Sequence, residues 1–173
     1  MDTQLAKYAQ LIKETDLFSY PKAWGWDINK ELLFLAAAQA KPVSGIEAYH
    51  IDPTAKNGRV AVESDIPRIT ELLDQLDVFY KYEIKDSFIR FTVAHTKSDL
   101  QTYLDTDHDD KKALGDIYGF PETATQAFID RNMREMSEET RTPIYFRTSV
   151  DHWQEEYKTI EKWDKILKEY GLT

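Results

Sequence analysis

The chain predicts an α+β fold, a mostly helical single domain spanning residues 1–173 around a small antiparallel sheet. Three observations carry that prediction. Residues 78–94 hold two short runs of alternating apolar and polar side chains about a polar turn, the period-two pattern of a half-buried hairpin. Much of the remaining chain places apolar residues three and four apart, as one face of a helix requires. Hydrophobic residues make up 42% of the sequence and aromatics 13%. A chain of this length can bury about two-thirds of its unfolded surface and so offset its conformational entropy without cross-links.

In chain order, Leu5, Tyr8 and Ile12 predict a first helix closing near Thr15. Pro21 and Gly25 interrupt the pattern, and Asp27 offers an N-cap to a second helix that holds Ile28, Leu32, Leu35 and Ala36 and ends before Pro42. Residues 43–51 alternate as a strand does, and 59–63, after Asn57 and Gly58, offer a hairpin partner across a long loop. Ser64 or Asp65 can cap a third helix, with Pro67 in its first turn and Ile66, Ile69, Leu72, Leu73 and Leu76 as its apolar stripe. In the hairpin, Val78, Tyr80, Tyr82 and Ile84 face one side while Lys81 and Glu83 face the other; Ile89, Phe91 and Val93 oppose Arg90 and Thr92 in the same way. Thr96 to Asp99 reads as a capping box with Asp in place of Glu, opening a helix with Leu100, Tyr103 and Leu104. Gly119 stops a helix through Leu114 and Ile117, and Pro121 starts one through Ala124, Ala127 and Phe128, which together predict a tight corner. From His152 the residues Trp153, Tyr157, Ile160, Trp163, Leu167 and Tyr170 keep helical spacing.

The sequence has no cysteine, which removes disulfides, thiolate metal sites, iron–sulfur clusters and a Cys nucleophile, and leaves His, Asp and Glu as metal ligands. The first residues carry acids and lack a continuous apolar run, and no stretch approaches the length of a membrane span, so the expectation is a cytoplasmic protein without a membrane segment. A formal net charge of -9 repels polyanions and argues against nucleic acid as a partner. The nearest basic cluster, Arg131, Arg134, Arg141 and Arg147, is diluted by Glu135, Glu138 and Glu139.

Four groups of residues offer candidate chemistry. Asp105, Asp107, Asp109 and Asp116 take the spacing of hard-oxygen ligands in a calcium loop, although Asp110 stands where such a loop needs glycine and Lys112 where it needs an apolar residue. The alternative is a solvated helix start whose acids complement the helix dipole. His50, His95, His108 and His152 lie too far apart in sequence for a local zinc motif; a spatial site from His95, His108 or His152 with carboxylates stays open against ordinary packed or exposed imidazoles. Residues 111–130 fit a helix-turn-helix, which predicts salt-sensitive DNA binding lost on substitution of Gln126 or Arg131; Thr125, where a buried aliphatic residue belongs, and the acidic flank favour an ordinary core corner. Trp24 and Trp26, with Tyr20 and Pro21, form either a recognition patch or core anchors, the second reading being favoured. No nucleophile-elbow, phosphate-loop, dinucleotide or zinc-protease pattern is present.

Leu114-Gly115, Gly119-Phe120-Pro121-Glu122 and Ala127-Phe128 resemble the signature of an uncharacterised, mainly archaeal family in which a Leu-Gly pair precedes Gly-Tyr-Pro-Glu and two cysteines follow. Thr123 and Ala124 occupy the cysteine positions, and Thr148 to His152 match a second cysteine-bearing stretch of that family. The resemblance covers roughly residues 96–170 and implies a helical corner packed beside the last helix, with the family's metal-capable cysteines lost. It leaves Glu122, Asp151 and His152 as neighbouring polar groups.

The leading functional reading is a small binding or regulatory domain that contacts a protein partner or a small ligand without its own catalysis. The alternative is a metal-dependent or hydrolase-like enzyme using Glu122, Asp151 and His152, with His95 beside them. Cofactor and oligomeric state stay open at this point.

Overall fold

A computed structural model describes residues 2–18, 28–134 and 146–172. Among them seven α-helices surround a three-stranded antiparallel sheet, the α+β arrangement that the sequence predicts. Helix α1 (Thr3–Glu14) begins where the Asp2 carboxylate accepts the Gln4 and Leu5 N–H groups. Helix α2 (Asn29–Ala37) follows; the predicted cap Asp27 and the Trp24–Trp26 pair lie outside the described residues. Strands β1 (Val43–Ala48), β2 (His50–Ile51) and β3 (Arg59–Val60) lead to α3 (Ile66–Gln75). The hairpin is β4 (Phe79–Ile84) and β5 (Ile89–Ala94), and then come α4 (Lys97–Asp105), α5 (Lys111–Ile117), α6 (Glu122–Asp130) and α7 (Trp153–Glu169).

Two local expectations are corrected. The 43–51 strand takes the far-off β5 as its main partner, Val43 opposite Ala94 through Ala48 opposite Ile89, and only His50 and Ile51 pair with the nearby 59–60 segment. The burial pattern of β5 suits a central strand, because every residue from Ile89 to Ala94 except Arg90 is buried. At α3 neither Ser64 nor Asp65 caps through its side chain. Residues 63–65 form a 3-10 turn, and Asp65 turns instead to His50, with Nε2 to Oδ2 at 2.7 Å.

The sheet order β1-β5-β4 places β5 in the centre. Ile46, Phe91 and Tyr82 fall in register across one face, as do Ala48, Ile89 and Ile84. Helices α1, α2, α3 and α7 pack on that side, with Leu33, Phe34, Leu73 and Leu167 fully buried among them. On the opposite face Val43 and Ala94 meet Leu100 and Tyr103 of α4, with Leu114 and Tyr118 packed against them. The predicted stripe of the last helix is core from Ile160 on, where Trp163, Leu167 and Tyr170 are also buried, while Trp153 and Tyr157 at its start are half-buried. The predicted apolar face of β4 is only partly so, because β4 is an edge strand; Tyr82 and Ile84 keep 42% and 47% exposure.

The start of α7 is clipped to the chain before it. The buried Glu156 carboxylate accepts the Ser149 backbone N–H at 2.6 Å and the Ser149 hydroxyl at 2.7 Å, while the same hydroxyl accepts the His152 N–H at 2.9 Å. Ser149→Ala removes a donor to a buried carboxylate and an acceptor for a helix-start amide. It is expected to cost about 1–2 kcal/mol of stability in urea unfolding, as loss of a helix cap does.

Candidate functional site: a cleft at the α5–α6 corner

Helices α5 and α6 approach closely because Gly115 has no side chain. A Cβ there would lie 2.2 Å from Thr125 Oγ1. Gly119 adopts φ +74, a left-handed conformation natural to glycine. Its N–H donates to Asp116 O and the next amide, of Phe120, donates to Gly115 O, both at 3.0 Å. This turn ends α5 and aims Phe120 beneath the corner, where its ring meets Phe146 at 5.3 Å and Trp163 at 6.4 Å between centroids.

Between the corner and residues 146–147 the chain leaves an open cleft of about 570 Å³. Its walls are mainly apolar, from Leu114, Ala124, Phe120, Phe128 and Phe146. Among the described residues that line it, two carry charge and both are positive, Lys111 and Arg147. Two further polar groups are present. Thr125 is 5% exposed and its Oγ1 is buried without a hydrogen-bond partner. The Tyr118 phenol is raised above its ordinary pKa by burial and by a hydrogen bond with Tyr103, so it stays neutral.

Lys41 stands behind this wall. It is 3% exposed, donates from Nζ to Tyr118 O at 2.7 Å, and lies 4.7 Å from the Phe120 centroid and 4.0 Å from that of Trp163. Burial lowers its pKa to about 7. The rings and the carbonyl oppose that shift because both attract an ammonium.

A second, smaller cleft of about 260 Å³ has a mixed polar and apolar lining. It is lined by the His50–Asp65 pair and by Arg68, which is ion-paired with Asp16. A carboxylate bound to one imidazole nitrogen orients the ring for proton transfer.

The sequence-predicted groups fall elsewhere. Glu122 is exposed at the start of α6, ion-paired with Lys112 at 2.7 Å, and that hydrogen bond holds its carboxyl below the usual range. Asp151 meets Asn132 beyond the other end of the nine-residue α6, roughly 13 Å away along a helix rising about 1.5 Å per residue. His152, exposed, contributes its backbone to the α7 start. His95 follows β5 with a buried Nδ1 that has no hydrogen-bond partner.

The acids of the 105–116 segment shape turns and caps. Asp107 accepts the Asp109 N–H, Asp110 caps α5 through the Ala113 N–H, and Asp105 accepts from Gln101. Because α5 begins at Lys111, the second half of a calcium-type loop is already helical, and Asp116 lies on that helix. Among the described residues, no three His, Asp or Glu side chains gather as a metal-holding group. No helix among them is long and apolar enough to cross a membrane.

Comparison of the chain with protein-family models, curated proteins and solved structures finds no match in any of the three. The geometry of the corner therefore carries the functional argument. Of its residues the sequence pointed to the corner itself, through Gly115, Gly119 and Pro121. It noted Arg147 only within a diluted basic cluster, and it missed Lys41 and the His50–Asp65 pair. Lys41 follows an alanine-rich helix and precedes Pro42 with no pattern that foretells a buried amine.

Proposed function

We propose that the chain is a small-ligand-binding domain without catalysis of its own, and that its ligand is an amphipathic anion seated in the α5–α6 cleft. The observation that carries this reading is the pairing of a roomy apolar cleft with two cations in a chain whose net charge is -9. Its volume of about 570 Å³ falls in the range of ligand pockets, which combine apolar walls with a few polar groups that fix orientation. An acyl or aryl body would lie on Phe120 and Phe146, with its carboxylate between Lys111 and Arg147.

In this reading the corner that resembles the archaeal family, turned at Gly119 and Pro121, carries a binding cleft that Gly115 and Phe120 line. DNA recognition by α6 draws less support, because its exposed residues include Glu122 and Asp130 and such binding needs net positive charge.

Titration calorimetry with octanoate, kept below its micelle concentration, tests the reading against octyltrimethylammonium of like apolar length. Octanoate is expected to bind with the cationic amphiphile weaker by about tenfold or more, and Arg147→Ala is expected to remove most of that preference. Equal binding of both amphiphiles, or octanoate binding that depends on Arg68 and leaves Arg147→Ala unaffected, contradicts it.

A further inference from the structure

The two edges of the sheet are finished differently. The hairpin turn has the Lys85 N–H donating to Phe88 O at 2.9 Å. In an antiparallel ladder, hydrogen-bonded pairs alternate from that point. With Glu83 opposite Arg90, Lys81 opposite Thr92 and Phe79 opposite Ala94, the backbone groups of residues 79, 81 and 83 point to β5 and those of 80, 82 and 84 point away from the sheet. The same alternation sends the Glu47 amide outward from β1, where Asn29 Oδ1 accepts it at 2.8 Å. One outward amide of β1 is thus capped from α2, whereas among the described residues no backbone partner lies along the outer side of β4. Tyr82, Ile84 and Phe79 are exposed on this strand, with Phe79 at 44%.

We propose that the open edge of β4 pairs with the β4 edge of a second copy of this chain, antiparallel about a two-fold axis through Tyr82, joining two three-stranded sheets into one of six strands. The strand reads Phe79-Tyr80-Lys81-Tyr82-Glu83-Ile84. Centred on Tyr82, the outward-pointing groups match: Tyr82 exchanges both backbone hydrogen bonds with its copy, and Tyr80 exchanges both with Ile84 of the other chain. The side chains match too. Lys81 lies opposite Glu83 twice, while Tyr80, Tyr82 and Ile84 of both copies form one apolar stripe on the other face.

Shifting the register removes the charge match. Centring on Lys81 sets lysine against lysine, and centring on Glu83 sets glutamate against glutamate and Lys81 against Lys85. Charged residues on an edge strand commonly block such pairing. Here the two signs alternate so that the register centred on Tyr82 is complementary and those one residue to either side repel. Glu83 already pairs with Lys85 of its own chain at 2.7 Å, a contact between half-exposed groups that leaves the carboxylate free to meet a second cation.

Sedimentation equilibrium of the full chain, with circular dichroism to verify each fold, tests the proposal. The wild-type mass is expected to rise with concentration from 20.2 kDa to twice that value. Lys81→Glu and Glu83→Lys should each weaken self-association by about tenfold or more, since each sets like charges across the axis. An equimolar mixture of the two variants should recover it as a mixed dimer, because one edge is then all acidic and the other all basic. A wild-type chain that stays at 20.2 kDa up to millimolar concentration, single variants that associate as the wild type does, or a mixture no stronger than its components would each overturn it.

Discussion

Gly115→Ala is expected to lower folding stability by about 1–3 kcal/mol, the range for forcing atoms into a filled interior. The new Cβ would meet Thr125 Oγ1 at 2.2 Å, its Cγ2 at 2.5 Å and its Cβ at 2.9 Å. These are atoms of a short, buried side chain on the facing helix, so relief requires α5 and α6 to separate. Thr125→Ala in the same chain deletes the two nearest atoms and leaves the third, so the double variant should regain part of the loss. Urea unfolding of the four proteins of this cycle gives the coupling directly. The single Gly115→Ala chain should also bind octanoate more weakly than the wild type, because the corner that separates is the wall of the cleft.

Lys41 gives the second large effect, and it depends on pH. Burial lowers the amine from 10.5 to about 7 in the folded chain. Between those values the unfolded chain holds one more proton than the folded one, so stability rises with pH at up to about 1.4 kcal/mol per unit. The contribution is complete above the unfolded value and is lost as pH falls toward about 7. Lys41→Met keeps the length of the side chain and removes the titration. The stability advantage of the variant over the wild type should therefore shrink by about 2–3 kcal/mol in urea unfolding between pH 7 and 9.5. A difference that stays flat across that window would mean that Trp163, Phe120 and the Tyr118 carbonyl keep the ammonium charged in the core.

What was legible in the sequence follows from locality. Capping and turn chemistry act over a few residues, so the Thr96 cap, the Gly119–Pro121 corner and the 85–88 turn could be read where they stand. The hairpin was readable because its two strands are adjacent. Pairing of β1 with β5 was not, since it joins Val43 to Ala94 across the whole of α3 and the hairpin, and the nearer 59–63 segment carries the same alternating pattern. The family resemblance also implied neighbouring carboxylates that the fold separates. Glu122 and Asp151 belong to opposite ends of α6. The cleft was illegible for a further reason: its cations come from Lys111 and Arg147, 36 positions apart, and neither has a sequence neighbour that marks it as functional.

The most direct test of the binding reading is where octanoate rests in the chain, read from intermolecular nuclear Overhauser contacts on the labelled protein at saturating octanoate. Contacts are expected from the octanoate methyl and methylene protons to the rings of Phe120 and Phe146 and to the methyls of Leu114, with the largest amide shifts across α5 and α6. Contacts confined to the His50–Asp65 cleft, or spread over the surface without reaching Phe120, would contradict it.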